Sequence, residues 1–139
     1  MGIQLFKEDV KIDLRSLTST KKWLALVAHQ HSKSIAGINY IFCSDRYLHR
    51  MNIEYLQHDT FTDIITFDSR ENANAAIEAD IYISIERVEE NAINHNTAYQ
   101  NELHRVMAHG LLHLIGFRDK TEKDKTEMRA AENQALKIK

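Results

Sequence analysis

The most regular helical pattern in the chain runs from Gln100 to Ile115 and ends at Gly116. Its apolar residues recur every three or four positions and are Leu103, Val106, Met107, Leu111 and Leu114. This spacing places them on one face of an α-helix, and that face must be buried against other elements. Glycine after the last turn can adopt the left-handed conformation that ends a helix and reverses the chain. The pattern therefore predicts a core helix of about four turns followed by a reversal.

The remaining periodicities predict four strands and four further helices. We expect strands at 2–6, 37–43, 62–67 and 80–85, and helices at 16–33, 44–55, 85–94 and 121–136. Segment 69–79, SRENANAAIEA, is polar and predicts an exposed loop. The order β-α-β-α-β-β-α-α-α predicts a single α+β domain over residues 1–139, with about five helices packed on a four-stranded mixed sheet.

Composition narrows the class of protein. A chain of 139 residues fits one domain, and its single cysteine, Cys43, excludes an internal disulfide and suits a reducing compartment. The N-terminus has no apolar run typical of a signal peptide, and no stretch reaches the roughly 18 apolar residues of a membrane span. We therefore expect a cytoplasmic protein without membrane contacts. A net charge of −2 does not exclude nucleic acid, because a binding site needs only a local positive face.

The predicted core helix carries two histidines that suit a metal ion. His109 and His113 are four residues apart, so they lie on one helix face, one turn apart. The reversal at Gly116 brings Asp119 back towards them. Three protein ligands leave a fourth position for water, as in catalytic sites. We expect one divalent metal held by this helix and the following turn, with zinc favoured by the donor types and nickel as an alternative.

The string HxxxHxxGxxD has the spacing of metzincin proteases, HExxHxxGxxH, with Asp119 in the last position. Those enzymes polarise the zinc-bound water with the glutamate after the first histidine, whereas this chain has Gly110. Phosphodiester cleavage needs an electrophile and an activated water, and a metal supplies both without that glutamate. Gly110 thus favours a phosphodiester-cleaving site over a peptide-cleaving one. It is equally consistent with close packing of the helix.

The segment HGLLHLIGFRD, 109–119, resembles the signature of the YbeY family, the bacterial metal-dependent endoribonucleases of ribosomal RNA maturation. The resemblance continues in MNIEYLQHDTFTDIITF, 51–67, in ADIYIS, 79–84, and in Met128 with Glu132. It implies a YbeY-like domain that cleaves single-stranded RNA, chiefly ribosomal RNA, in rRNA maturation and ribosome quality control, with the small ribosomal subunit as a partner. Two alternatives are a non-catalytic, ribosome-associated RNA-binding factor with a structural metal, and a metallopeptidase.

One departure from the family bears on catalysis. The family carries an arginine where this chain has Leu56, and that arginine would hold a phosphate or stabilise developing charge. Arg70, in the polar loop, and Arg118, beside the metal ligands, are candidates to replace it, as is Arg87. His58 is a further catalytic candidate. We expect Leu56 to pack within its helix, beside Tyr47, Met51 and Tyr55, and not to line the metal cleft.

RNA phosphates require a positively charged cleft. We expect Arg46, Arg50, Arg70 and Arg118 to supply this charge. Glu102 lies seven residues before His109 and hence on the same helix face, where a surface or capping role is favoured over support of the metal. His104 lies on another face and is expected to have no functional role.

Overall fold

The computed structural model describes residues 2–139. Its elements are β1 (Gly2–Lys7), a short 3-10 helix (Leu14–Leu17), α1 (Thr18–Gln30), β2 (Ile35–Cys43), α2 (Asp45–Leu56), β3 (Ile64–Asp68), β4 (Ile77–Ser84), α3 (Ile85–Asn94), α4 (Tyr99–Ile115) and α5 (Glu122–Lys137). The predicted α+β class and the order of strands and α-helices are confirmed. Within residues 2–139, no helix combines the length and apolar character needed to cross a membrane.

Two details differ from the sequence-based expectation. The 3-10 helix before α1 was not predicted, because four residues carry too little periodicity. Strand β4 begins at Ile77, inside the segment expected to be an exposed loop, since Ile77 and Ala79 are both buried. The polar residues between Ser69 and Ala76 concealed this apolar alternation.

The sheet has the strand order β1-β2-β4-β3. Strands β1, β2 and β4 are parallel, and β3 pairs antiparallel with β4 at the edge, so the predicted mixed sheet is confirmed. Alternate residues of a strand point to opposite faces, and here Ile81 and Tyr82 belong to different apolar clusters. The larger cluster takes in residues of α1, α3, α4 and α5, whereas the smaller one involves α2.

Helix α4 lies close against the sheet at Gly110. A Cβ atom at that position would lie 2.9 Å from Ile64 Cδ1 and 3.2 Å from two atoms of Ile81. The hydroxyl of Tyr40 also donates a hydrogen bond of 2.9 Å to the Met107 carbonyl. The packing role considered for Gly110 is therefore present in the structure, and it fixes the distance from β3 to the helix that carries both histidines.

The reversal after α4 determines how α5 meets it. Gly116 has a φ of 131°, and its N–H donates to the carbonyls of Leu112 and His113, as expected for a glycine that ends a helix. Thr121 then begins α5 through a capping box with Asp124. Helix α5 runs back along α4 and brings Glu132 next to His109.

Candidate active site

The three predicted metal ligands lie around one cleft. His109, His113 and Asp119 all line a cavity of about 430 Å³, which we call the His113 cavity. His109 Nε2 is 3.9 Å from Asp119 Oδ2. No three His, Cys, Asp or Glu side chains within residues 2–139 are close enough to hold a metal ion as they stand. His113 and Asp119 are exposed at this cleft.

His109 is held in one orientation by a buried carboxylate. Its Nδ1 lies 2.7 Å from Glu132 Oε2, and Glu132 is only 6% exposed. Burial alone lowers the pKa of His109, but the hydrogen bond and negative charge of Glu132 outweigh burial and leave it raised. Since Nδ1 is engaged by Glu132, Nε2 is the nitrogen that faces Asp119 and the cavity.

Glu132 is in turn paired with Arg105. The Nη1 of Arg105 donates a hydrogen bond of 2.9 Å to Glu132 Oε1. Burial raises the pKa of Glu132, but the hydrogen bonds from His109 and Arg105 outweigh burial and lower it. Glu132 is therefore ionised and accepts from both neighbours. Arg105 had no predicted role, and Glu132 was noted only through the family resemblance.

The donor set suits a divalent metal. Two imidazole nitrogens and one carboxylate oxygen are typical zinc ligands and leave a position for water. Metal-bound histidines usually donate their other ring N–H to a carboxylate, which fixes the tautomer, and Glu132 stands in that relation to His109.

The predicted catalytic residues lie in different surroundings. His58 lines the His113 cavity and is exposed. Arg70 Nη2 lies 2.7 Å from Asp68 Oδ2. Arg70 Nη2 also donates a hydrogen bond of 2.8 Å to the Leu114 carbonyl. Its side chain is only 8% exposed, so it is fixed beside the end of α4 and is not a flexible arm. Arg118 is exposed and does not line the His113 cavity.

The expectation for Leu56 was wrong. Leu56 is 41% exposed and lines the His113 cavity together with all three predicted ligands. Asn52 and Leu56 are four residues apart on one face of α2, and this face turns to the cavity, while Tyr47 and Met51 pack on the sheet. Asn52 Nδ2 donates to both the carbonyl and the hydroxyl of Thr60, so the loop after α2 folds over this face.

The basic residues that line the cleft lie on α4 and α5 and were not predicted from the sequence. A second cavity of about 320 Å³, the Arg105 cavity, also includes His109 and Asp119. Its basic residues are Arg105, Lys125 and Arg129, whereas none of the four arginines expected to supply positive charge lines either cavity. The interior of the cleft thus obtains its positive charge from α4 and α5.

Four acidic residues line the Arg105 cavity as well: besides Asp119 and Glu132, they are Glu102 and Asp63. Glu102 was expected at the surface, but it is only 4% exposed and lies 3.6 Å from His95 Nδ1, because the end of α3 covers it. That expectation was wrong. Asp63 lines both cavities and accepts a hydrogen bond of 3.3 Å from Asn91. Burial is the main reason why the pKa of Asp63 is raised.

The α+β fold and its histidine–aspartate cleft indicate the class of metal-dependent hydrolases. A family model described as Endoribonuclease YbeY matches residues 3–138, nearly the whole chain. The chain therefore belongs to the endoribonuclease YbeY family. This confirms the resemblance inferred from the sequence.

Individual relatives agree with the family model. The endoribonuclease YbeY of Cytophaga hutchinsonii is 50% identical over 137 residues, which cover 99% of this chain and 95% of the relative. That of Bacteroides fragilis is 42% identical over 139 residues, covering 100% and 99%. The solution structure of TM1509 from Thermotoga maritima superposes with a TM-score of 0.71 at 25% identity, covering 98% of this chain and 87% of that one.

Membership decides among the functions considered from the sequence. It makes the chain an endoribonuclease, of a family that is metal-dependent in general. The alternatives of a non-catalytic factor and of a metallopeptidase receive no comparable support. Position 110 adds a structural argument against the peptidase, because a side chain there would enter the core between Ile64 and Ile81.

Proposed function

We propose that the chain binds one divalent metal, with zinc favoured, through His109, His113 and Asp119, and cleaves single-stranded ribosomal RNA at that site. The observation that carries the metal assignment is the 2.7 Å hydrogen bond between His109 Nδ1 and Glu132. This hydrogen bond occupies Nδ1 and leaves Nε2 of His109 as the nitrogen that would bind the metal. His113 and Asp119 line the same cavity.

A bound divalent metal would supply the electrophile for the phosphate oxygens and a water activated for attack on phosphorus. The residues of the chain do the remaining work. Glu132 and Arg105 keep His109 oriented, and Asn52 fixes the loop that carries His58 and Thr60. His58 is exposed in the same cavity, where it can exchange a proton with the attacking water or the leaving oxygen.

Stabilisation of the phosphate charge is the step at which Leu56 departs from the family. Arg70 and Arg118 remain the predicted replacements for the missing arginine. Arg70 lies beside Leu114, next to His113 in the chain, but its guanidinium is bound to Asp68. To contact RNA it must exchange the Asp68 carboxylate for a phosphate, which is a charge-assisted partner of the same kind.

The substrate assignment rests on the family and on the open shape of the cleft. The His113 cavity is a surface cleft lined by threonine, asparagine and histidine side chains, which can contact the ribose and base edges of an unpaired strand. We further propose that the RNA is ribosomal RNA and that the small ribosomal subunit is a partner. Cleavage would serve rRNA maturation and ribosome quality control, and the protein would work in the cytoplasm.

The test combines metal analysis with cleavage assays. Purified protein should contain one divalent metal per chain, as measured by elemental analysis, and should cut a single-stranded rRNA fragment but not its duplex or casein. Chelation should abolish cutting, and zinc should restore it. Specific RNA binding without turnover in the metal-loaded protein would refute the nuclease and indicate a non-catalytic factor.

A further inference from the structure

A groove leads away from the predicted metal ligands between α4 and α5. It joins the Arg105 cavity to a smaller adjacent one of about 290 Å³, which also includes Arg105 and Arg129. We call this the α4–α5 groove; its walls are formed by Asn101, Arg105 and His109 on α4 and by Lys125, Arg129 and Asn133 on α5. Both sets recur every four residues, so each follows one helix face along the groove.

We propose that the α4–α5 groove binds the phosphates of the RNA strand on one side of the cleaved bond, through Lys125 and Arg129. This inference rests on the proposed function, because it places the strand relative to cleavage at His109. The substrate class is an extended single strand whose sugar-phosphate backbone continues past the metal ligands.

The charges of the groove support an anionic ligand at its rim. Of the four carboxylates that line the Arg105 cavity, Glu102 and Glu132 are buried in the floor of the groove, and Glu132 is already paired with His109 and Arg105. Asp63 and Asp119 lie at the end of the groove that holds the predicted metal ligands. Lys125 has no ion pair or hydrogen bond from its side chain to any residue of 2–139, and the side chain of Arg129 is 57% exposed. The nearest carboxylate oxygen to Arg129 is 3.8 Å away. Both cations can therefore turn to an incoming phosphate at little cost.

The position of the two cations also fits a strand. Lys125 and Arg129 are four residues apart on α5, hence about 6 Å along the helix axis. That separation is on the scale of neighbouring phosphates in an extended strand. The opposite side of the cleft differs, because the His113 cavity contains no lysine or arginine. The strand should therefore be held by lysine and arginine on one side of the metal ligands, and by threonine, asparagine and histidine side chains on the other.

The experiment compares two double substitutions that remove equal charge. Lys125→Gln with Arg129→Gln alters the groove, whereas Lys11→Gln with Arg15→Gln alters an exposed lysine and arginine that line a separate cavity. Binding of a fluorescent single-stranded RNA is measured by anisotropy over a range of salt concentrations. The groove variant should bind roughly ten-fold more weakly, and its salt slope should fall by about 1.4, the value for two lost contacts to a single strand.

Cleavage kinetics provide a second readout. The groove variant should show a higher KM with nearly unchanged kcat at saturating RNA, because the metal ligands are untouched. RNAs shortened stepwise from each end should lose their sensitivity to the substitution when one end is trimmed, and not the other. Equal effects of the groove and control substitutions, or an unchanged Kd and salt slope, would overturn the proposal.

Two controls keep this outcome separate from other failures. Metal content is measured for each variant, because Arg129 lies near Glu132. If the double variant loses metal, Lys125→Gln alone decides, and its salt slope should fall by about 0.7; no change would overturn the groove. If the unmodified protein binds RNA through the groove but never cuts it, the groove proposal stands and the proposed nuclease function fails.

Discussion

Helix α4 presents two histidines to the same cleft in very different surroundings. His109 is hydrogen-bonded to the buried carboxylate of Glu132, which is itself paired with Arg105. His113, one turn further on, is exposed and makes no hydrogen bond from its ring within residues 2–139. Folding therefore fixes the orientation of the His109 ring, whereas the His113 ring is not held by a hydrogen bond within residues 2–139. Substitutions at the two positions should therefore separate metal binding from stability.

The largest expected effect is that of His113→Ala. The protein should lose its metal, and RNA cleavage should fall to background, while the melting temperature of the metal-free protein stays unchanged because His113 is exposed. Elemental analysis, cleavage assays and thermal melts measure the three quantities. His29→Ala, at an exposed histidine of α1, serves as the control. Full metal content in the His113 variant would contradict the ligand assignment.

Glu132→Gln tests whether Glu132 orients His109 for metal binding. The amide keeps the shape but lacks the charge that accepts from both His109 and Arg105. Metal affinity should weaken about 10- to 100-fold, as is typical when the partner of a metal-bound histidine is changed. Titration calorimetry gives the affinity, and Glu127→Gln, at an exposed position of the same helix, is the matched control. Similar affinities of the two variants would show that Glu132 does not position His109.

Leu56→Arg adds a positive charge to the His113 cavity. Leu56 lines the His113 cavity, so a guanidinium there can reach a phosphate held at the ligands. We expect RNA cleavage to increase by roughly ten-fold, the scale of one added charge-assisted hydrogen bond. Ile53→Arg places the same charge on α2 outside the cavity and should have little effect. If Leu56→Arg and Arg70→Ala both leave cleavage unchanged, a positive charge at position 56 or 70 does not contribute to RNA cleavage.

Gly110→Ala should displace His109 and His113 together, because it moves α4 relative to β3. The added methyl would lie 2.9 Å from Ile64 Cδ1. Overpacking typically costs about 1–3 kcal/mol, and the better helix propensity of alanine returns about 1 kcal/mol. A net loss of about 1 kcal/mol should appear in urea unfolding. Ile64→Val removes the contacting methyl, so the double variant should recover part of this loss; additive losses would contradict the contact.

An effect of similar size, confined to acid pH, concerns His104, the third histidine of α4. Burial, and then the charge of Lys139, lower the pKa of His104 to about 4. Its folded pKa lies below the unfolded value, so the unfolded state takes up more protons and stability falls as pH drops from 6.5 towards 4. His104→Gln should reduce this loss by about 1 kcal/mol, discounted for partial exposure. Parallel stability–pH curves for both proteins would contradict the pKa assignment.

Local sequence determined much of this protein. The apolar spacing of α4, the two histidines one turn apart and the helix-ending Gly116 depend on residues within a few positions of each other. The order of strands and helices was predictable for the same reason, because each element carries its own periodicity. Family membership followed from short segments that keep their order along the chain.

Only the tertiary structure decided how the site is surrounded. Glu132 meets His109 across 23 residues, and Arg70 meets the carbonyl of Leu114 across 44, which no local pattern encodes. Leu56 faces the cleft because the loop after α2 folds over its face, and Glu102 is buried because α3 covers it. Periodicity shows which residues share a face of one element. The partner of that face depends on how elements distant in sequence pack, because burial and ion pairing are settled between elements.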